Sequence, residues 1–252
     1  MRQANQERAL AILSPLAALA LWQLASNMGL IDQRYVPSPL SIANAGWDLA
    51  TSGQLVFHIG ASLRRLAIGF VLGAVPGILA GIVMGLNRWV RAAVDPLVAA
   101  LYPIPKLALL PLLMLVFGIG DGSKVVVVAM SVLFLTIINT TAGVVQLDRI
   151  YFDVARNYHT PWHKLFLRVI LPGALPTIFA GLRISLGVSL VVLVGAEFVA
   201  SRSGIGYLIW SSWETLMIEN MFVGIIVITV LGVLSTFFLQ ECERLLIPWR
   251  RD

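Results

Sequence analysis

The chain has 252 residues, 58% of them hydrophobic and only 12% charged, with a mean hydropathy of +0.87 and a formal charge of +5. Soluble domains carry about twice that charged share, so the bilayer is the natural solvent, and about 20 apolar residues per crossing leaves room for five to seven helices. Lys and Arg are scattered between apolar runs, which excludes a nucleic-acid footprint, and the single Cys242 excludes an internal disulfide and any multi-cysteine metal site.

The first predicted span is 9–25, behind Arg2 and Arg8. Its flanks imitate a signal peptide, but "WQLASN" offers no A-x-A cleavage pattern and more spans follow, so it is read as a retained helix. Pro37 and Pro39 then start a short amphipathic helix near 40–49. The second span, 66–86, carries Gly69, Gly73, Gly77, Gly81 and Gly85 at every fourth position. That spacing lays one glycine stripe along a helix face, suited to close packing.

The basic loop "NRWVR", 87–91, leads into a third span, 92–118, interrupted by Pro96, Pro103, Pro105 and Pro111 with Lys106 among them. Broken helices at membrane depth are tolerated where they face protein or a water-filled path. "GIGDGSK", 118–124, turns the chain into span four, 125–145. Spans five and six are 173–200 and 221–246, giving an all-α integral membrane domain over 1–252 with about six crossings. With an inside N-terminus, the inner segments hold Arg2, Arg8, Arg88, Arg91, Arg149, Arg156, Lys164, Arg168, Arg244, Arg250 and Arg251, against Arg34, Arg64, Arg65, Lys124 and Arg202 outside. That bias puts both termini in the cytoplasm and makes 146–172 the longest cytoplasmic loop.

Catalytic chemistry is missing from the pattern. Gly118 and Lys124 fit part of a P-loop, but Ser123 and Val125 stand where its second glycine and its Ser or Thr belong, so a turn is the better reading. His159 and His163 share a helix face with no Glu or Cys to complete a metal set. Charged groups inside spans are expensive and therefore candidates for function; with the neighbouring prolines, the candidate translocation path is Pro103, Pro105, Lys106, Arg183 and Glu197. The competing reading is that these charges neutralise backbone carbonyls or a carboxylate on another helix, or snorkel to an interface.

The most distinctive stretch is "DVARNYHTPWHKLFLRVILPGALP", 153–176. Residues 151–159 are helix-compatible, with Asp153 near the positive end. Thr160 is a candidate N-cap and Pro161 a first helical residue for a second short helix. Its Trp162, Leu165, Phe166 and Val169 form an apolar face towards the membrane, while His163, Lys164 and Arg168 stay wet. Pro172 and Pro176 mark the start of span five. A short helix held out on such an elbow is a docking element for a cytoplasmic partner.

This segment resembles the EAA loop of binding-protein-dependent ABC transporter permeases, whose pattern is E-A-A, three residues, G, nine residues, I, one residue, L-P. Asp153, Val154 and Ala155 stand for E-A-A, then come Arg156, Asn157 and Tyr158, His159 stands for the glycine, Val169 for I, and Leu171-Pro172 match. With His159 in place of a turn-forming glycine, the bend is expected to be wider or shifted to Pro161. "YVPSPLSI", "FGIGDGSK" followed by "INT" and "AGV", and "GAEFVASRSGIGYLI" are similar to the sulfonate, taurine, nitrate and bicarbonate branch.

The resemblance implies a type I importer permease fold, a bacterial inner-membrane location and alternating access. It implies a homodimer, two cytoplasmic ATPase subunits that receive residues 153–159, and a periplasmic or lipid-tethered binding protein meeting segments 34–60 and 201–220. ATP and Mg belong to the partner ATPase, and no cofactor is implied for this chain. The implied solute is a small anion, an aliphatic sulfonate or taurine first, then nitrate or bicarbonate, or a vitamin precursor such as riboflavin or a thiamine pyrimidine. A stand-alone channel or secondary transporter is the rival of another class; it predicts inverted repeats or charges along several spans.

Overall fold

A computed structural model describes residues 2–249, with side chains described from Leu10 onward except Ala11 and Ile12. Arg250, Arg251 and the side chains of Arg2 and Arg8, all used in the charge argument, lie outside the described residues. The described chain is helical without strands: α1 (Arg2–Asn27), α2 (Pro39–Thr51), α3 (Gln54–Leu86), α4 (Arg88–Leu101), a 3-10 turn (Lys106–Leu109), α5 (Leu110–Phe117), α6 (Asp121–Val145), α7 (Arg149–Asn157), α8 (Trp162–Leu165), a π turn (Phe166–Ile170), α9 (Leu171–Ala200), α10 (Ile205–Glu214) and α11 (Ile218–Leu246).

The core is a seam of three helices. The glycine stripe of α3 lies flush on α6: a Cβ on Gly69 would come 2.6 Å from Val128 Cγ1, one on Gly77 2.8 Å from Thr136 Cβ, and one on Gly81 2.5 Å from Thr140 Cβ. The partners advance together, so α3 and α6 run parallel. The chain between them must therefore return the full length of the bundle, which makes the α4–α5 pair a crossing even though it is bent by 83°. Helix α9 runs antiparallel to α6, with Gly143 against Thr177 and Gly181 against Asn139. Helices α2, α10 and α11 then pack together around Ile42, Leu208 and Val223.

Four helical stretches are long and apolar enough to cross a membrane, Gln54–Leu86, Asp121–Val145, Trp162–Ala200 and Ile218–Leu246, and the bent pair makes five. The predicted first span falls in α1, a 26-residue helix that includes Pro15. Leu72, Val75, Leu79, Ile226, Val230 and Leu234 are exposed on α3 and α11, as lipid-facing side chains are.

Three sequence expectations need correction. Pro96 does not interrupt span three; it sits inside α4, and the break comes at 102–105. Leu171-Pro172 is not a helix boundary, because Trp162–Ala200 is one continuous helix. Pro172 has no N–H to give, and the chain absorbs the loss with the π turn just before it, where Leu171 N–H reaches Phe166 O, five residues back. The face expected to lie on the membrane instead turns inward: Leu165 is buried and Phe166 and Val169 pack on the core with Ala155, Val144 and Ile247, leaving Trp162 exposed.

Candidate functional site

The elbow is built from its caps. Asp148 Oδ1 accepts from Ile150 N–H at 3.0 Å and opens α7. Helix α7 closes at His159, which adopts a left-handed φ of 48°. Thr160 N–H donates to Ala155 O at 2.8 Å and His159 N–H to Arg156 O at 3.1 Å, the paired bonds of a Schellman cap, whose left-handed position is most often glycine. The bend thus stays at residue 159, neither widened nor moved to Pro161. Pro161 is the N-cap residue of α8 rather than its first helical residue, and its carbonyl accepts from Lys164 and Leu165.

Only one stripe of α7 is buried. Ala155 and Phe152 enter the core cluster, whereas Asp153, Val154, Arg156, Asn157, Tyr158 and His159 are exposed, Tyr158 to 81%. Leu171 and Pro172 are half-buried in the continuous helix, Leu171 packing against the same cluster. This set of residues therefore divides into a presented face, Asp153, Val154 and 156–159, and a buried mount that includes Ala155. An exposed helix face of mixed charge and apolar groups on a fixed mount can dock a protein surface.

The five path candidates are not brought together. Lys106 Nζ donates to the carbonyls of Leu101, Tyr102 and Ile104, each at 2.9 Å, and lies 4.8 Å from the Phe134 ring centroid. Pro105 has no N–H for Leu101 O, so the ammonium closes a ladder that the prolines open. Pro103 and Pro105 are exposed beside it. Arg183 pairs with Glu243 of α11, its side chain 40% exposed and its buried Nε unpartnered. Lys124, the P-loop look-alike, is likewise committed, donating at 3.0 Å to Ile119 O and Gly120 O.

Glu197 is 0% exposed and sits in a built network. It accepts from Arg65 Nη1 at 2.7 Å, from Ser62 Oγ at 2.9 Å and from Gly206 N–H at 2.9 Å. Arg65 also reaches Asp121 Oδ1 and both Ser203 O and Ser203 Oγ at 2.7 Å, and Asp121 takes Arg64 as well. His58 Nδ1 accepts from Gly204 N–H at 3.1 Å. Gly204 has φ 113°, and a side chain there would run into the Glu197 carboxylate. Lys106 and Glu197 are thus saturated by the chain itself and hold bends in place, as the competing reading expects.

Sequence reasoning missed Arg65, Asp121, Ser62, Ser203 and Glu243. Arg65 counts there as an outer-loop charge, yet Ser62 and Arg65 continue the helical face of Gly69 and Gly73, a usable signal that they point into the seam. Residues 201–220, expected as an outer loop, contain α10 instead, with Trp210 donating to Glu214 at 2.9 Å.

A helical membrane bundle with a broken crossing, a glycine-packed seam and an exposed, capped elbow is an architecture suited to a membrane transport subunit. Residues 77–246 match the family described as binding-protein-dependent transport system inner membrane component, and the chain belongs to that family. It is 40% identical over 235 residues to the "Putative aliphatic sulfonates transport permease protein SsuC" of Escherichia coli (strain K12), covering 93% of this chain and 89% of that protein. It is 33% identical over 239 residues to the taurine transport system permease protein TauC of the same organism (93% and 87% covered). To the nitrate import permease protein NrtB of Synechocystis sp. (strain ATCC 27184 / PCC 6803 / Kazusa) it is 32% identical over 240 residues (91% and 86%).

Among solved structures, an inward-facing form of the MetNI methionine ABC transporter superposes with a TM-score of 0.68 at 17% identity, covering 77% of this chain and 96% of that one. An amino acid ABC transporter follows with a TM-score of 0.56 at 15% identity (80% and 96%). The fold is that of a type I ABC importer permease. The chain is the permease subunit of an ABC importer, an integral inner-membrane component with no catalytic activity of its own, and its family works with an ATPase and a substrate-binding protein.

Proposed function

We propose that this permease moves an aliphatic sulfonate or taurine inward, as a homodimer with two cytoplasmic ATPase subunits and a periplasmic or lipid-tethered binding protein. The relatives named for sulfonates and taurine support the solute class, at 40% and 33% identity. Nitrate is the second reading, supported by the 32% identical relative named for it. Both termini are cytoplasmic in this reading, on the bias of Arg and Lys across the spans. ATP and Mg bind at the partner ATPase, and this chain holds no cofactor.

The observation that carries the coupling is the exposed face of α7 and its cap, Asp153, Val154 and 156–159, on a mount that buries Ala155. Closure of the ATPase pair moves α7, and α7 is joined by its cap to the unbroken helix Trp162–Ala200. That helix carries the displacement about 50 Å to Glu197, where the network grips α3, α6 and α10. A rigid-body swing of this kind exchanges inward and outward access. The path itself runs past the break at Pro103, Pro105 and Lys106 and past the half-exposed Arg183, an anion's natural neighbour; Glu197 shapes it from behind.

The test is transport by the chain reconstituted with its cognate ATPase and binding protein. ATP-dependent uptake of taurine or an alkanesulfonate, in preference to nitrate, is expected. Asp153→Arg, on an exposed position, leaves the fold intact and lowers binding-protein-stimulated ATP hydrolysis about tenfold or more, the loss of a central interface contact. Solute moved down its gradient by the chain alone, or full stimulated hydrolysis in Asp153→Arg, overturns the reading.

A further inference from the structure

Between α3, α4 and α6 lies a groove of about 250 Å³, walled by Met84, Val98, Ile137, Ile138 and Val145 and edged by Arg91 and Asp95 of α4. The wall is apolar apart from Thr141, whose hydroxyl is committed to Gly81 O, and Ile138 and Val145 are exposed along it. The edge carries two opposite charges one helical turn apart, with Cβ atoms about 5–6 Å from each other. Yet Arg91 and Asp95 make no ion pair or side-chain hydrogen bond with one another or with any other described residue. Arg91 is half-buried and Asp95 exposed.

The depth of the site is fixed by its neighbours. Helix α3 ends at Leu86 and α6 at Val145, so the groove opens where the seam leaves the hydrocarbon. On the same helix Trp89 is 71% exposed, with the Arg88 guanidinium carbon 4.6 Å from its ring centroid. Exposed Trp beside Arg is the pattern of the membrane–water interface. An apolar groove running down from a charged edge at that level matches one acyl chain below one headgroup.

The charge pattern selects the headgroup. A lone Arg over the groove would favour an anionic lipid, but Asp95 repels a net negative headgroup and offers an acceptor for a cation. A headgroup carrying a phosphate and a primary ammonium answers both, the phosphate taking the Arg91 fork and the ammonium donating to Asp95. Choline has no N–H to donate. We propose that this groove is a binding site for a phosphoethanolamine lipid, with Arg91 and Asp95 as its two headgroup ligands. The site is independent of the solute and of the membrane orientation.

The test is native mass spectrometry of the full-length chain purified with its ATPase, in detergent micelles doped with equal amounts of phosphatidylethanolamine, phosphatidylcholine and phosphatidylglycerol. The wild type is expected to retain phosphatidylethanolamine preferentially, and Arg91→Ala and Asp95→Ala each to lower its occupancy about fivefold, the weight of one interfacial charge. The exchanged pair, Arg91→Asp with Asp95→Arg, keeps both charges and the net charge while reversing their order, and recovers part of the binding, which separates recognition from loss of fold. Phosphatidylglycerol retained as well as phosphatidylethanolamine shows a simple cationic patch and overturns the proposal. So does phosphatidylethanolamine occupancy that ignores both single variants, or a lipid excluded whenever the ATPase is present, which marks a subunit contact instead.

Discussion

The two ends of the bundle hold their helices by opposite means. At the Glu197 end, Arg65, Asp121, Glu197, Ser62 and Ser203 tie α3, α6, α9 and the start of α10 through buried charge and hydrogen bonds. At the other end, the nine-residue α7 is mounted by Ala155 and Phe152 and its own two caps, and turns the rest of its surface outward. One end keeps its shape through internal partners, and the other leaves its side chains exposed. In the proposed coupling a lever needs a fixed end and a presented end, and the helix Trp162–Ala200 connects them.

The sharpest way to break the contrast is at the fixed end. Glu197→Ala takes from Arg65, whose side chain is 4% exposed, one of its two carboxylate partners, and leaves Ser62 Oγ and Gly206 N–H without their acceptor in a buried site. Removing one partner of a buried pair costs about 3–5 kcal/mol, so the melting temperature in detergent should fall well below that of any exposed substitution in α7. The double variant Arg65→Met, Glu197→Met removes the under-satisfied guanidinium while Asp121 keeps Arg64, and should regain part of that loss. A Glu197→Ala protein that melts with the wild type would show that the network does not hold the end together.

The seam between the ends gives the next effect. Gly81→Val drives a branched side chain into Thr140, where even a Cβ would stand 2.5 Å from Thr140 Cβ, and overpacking of this kind costs about 1–3 kcal/mol. Gly187→Ala in α9 is the control, since a Cβ there meets nothing within 4 Å and alanine is the better helix former by about 1 kcal/mol. Thermal unfolding of the two variants should therefore move in opposite directions. Equal shifts would mean that α3 and α6 are not packed backbone to backbone.

Much of this was legible in the sequence where a single segment carries its own signal. A glycine every four residues can only form a face, so the α3 seam follows from spacing alone; two short helices meeting near 159–161 follow from the local pattern, but their caps fall on Asp148, His159 and Pro161 rather than on Thr160. What stayed hidden depends on distant partners. Arg65 lies 132 residues from Glu197 and 138 from Ser203, and beside Arg64 it looks like one more loop charge. Pro172 looked like a boundary because its missing N–H is a local fact, whereas the π turn that absorbs it is held by packing of Leu165 and Ile170 in the core. Lys106 was ambiguous for the same reason, since only the folded bend brings three carbonyls to one ammonium.

The smallest expected effect tests the presented end and the one residue that departs from the family's turn. His159 holds φ 48° in the Schellman cap, and a non-glycine residue in the left-handed region costs about 1–2 kcal/mol. Glycine removes that cost and gives back part of the gain through a freer unfolded chain, so His159→Gly should stabilise the cap by about 1 kcal/mol or less. The gain will be local, so hydrogen exchange at Thr160 N–H and His159 N–H, the two cap donors, is the measurement, and both should slow. His159→Val should quicken the same two amides, because a β-branched side chain tolerates a positive φ least. Opposite shifts at 159 with an unchanged global melt would show that α7 keeps its own local stability, separate from the charge-locked end; a global melt that follows the cap would join the two ends into one cooperative unit.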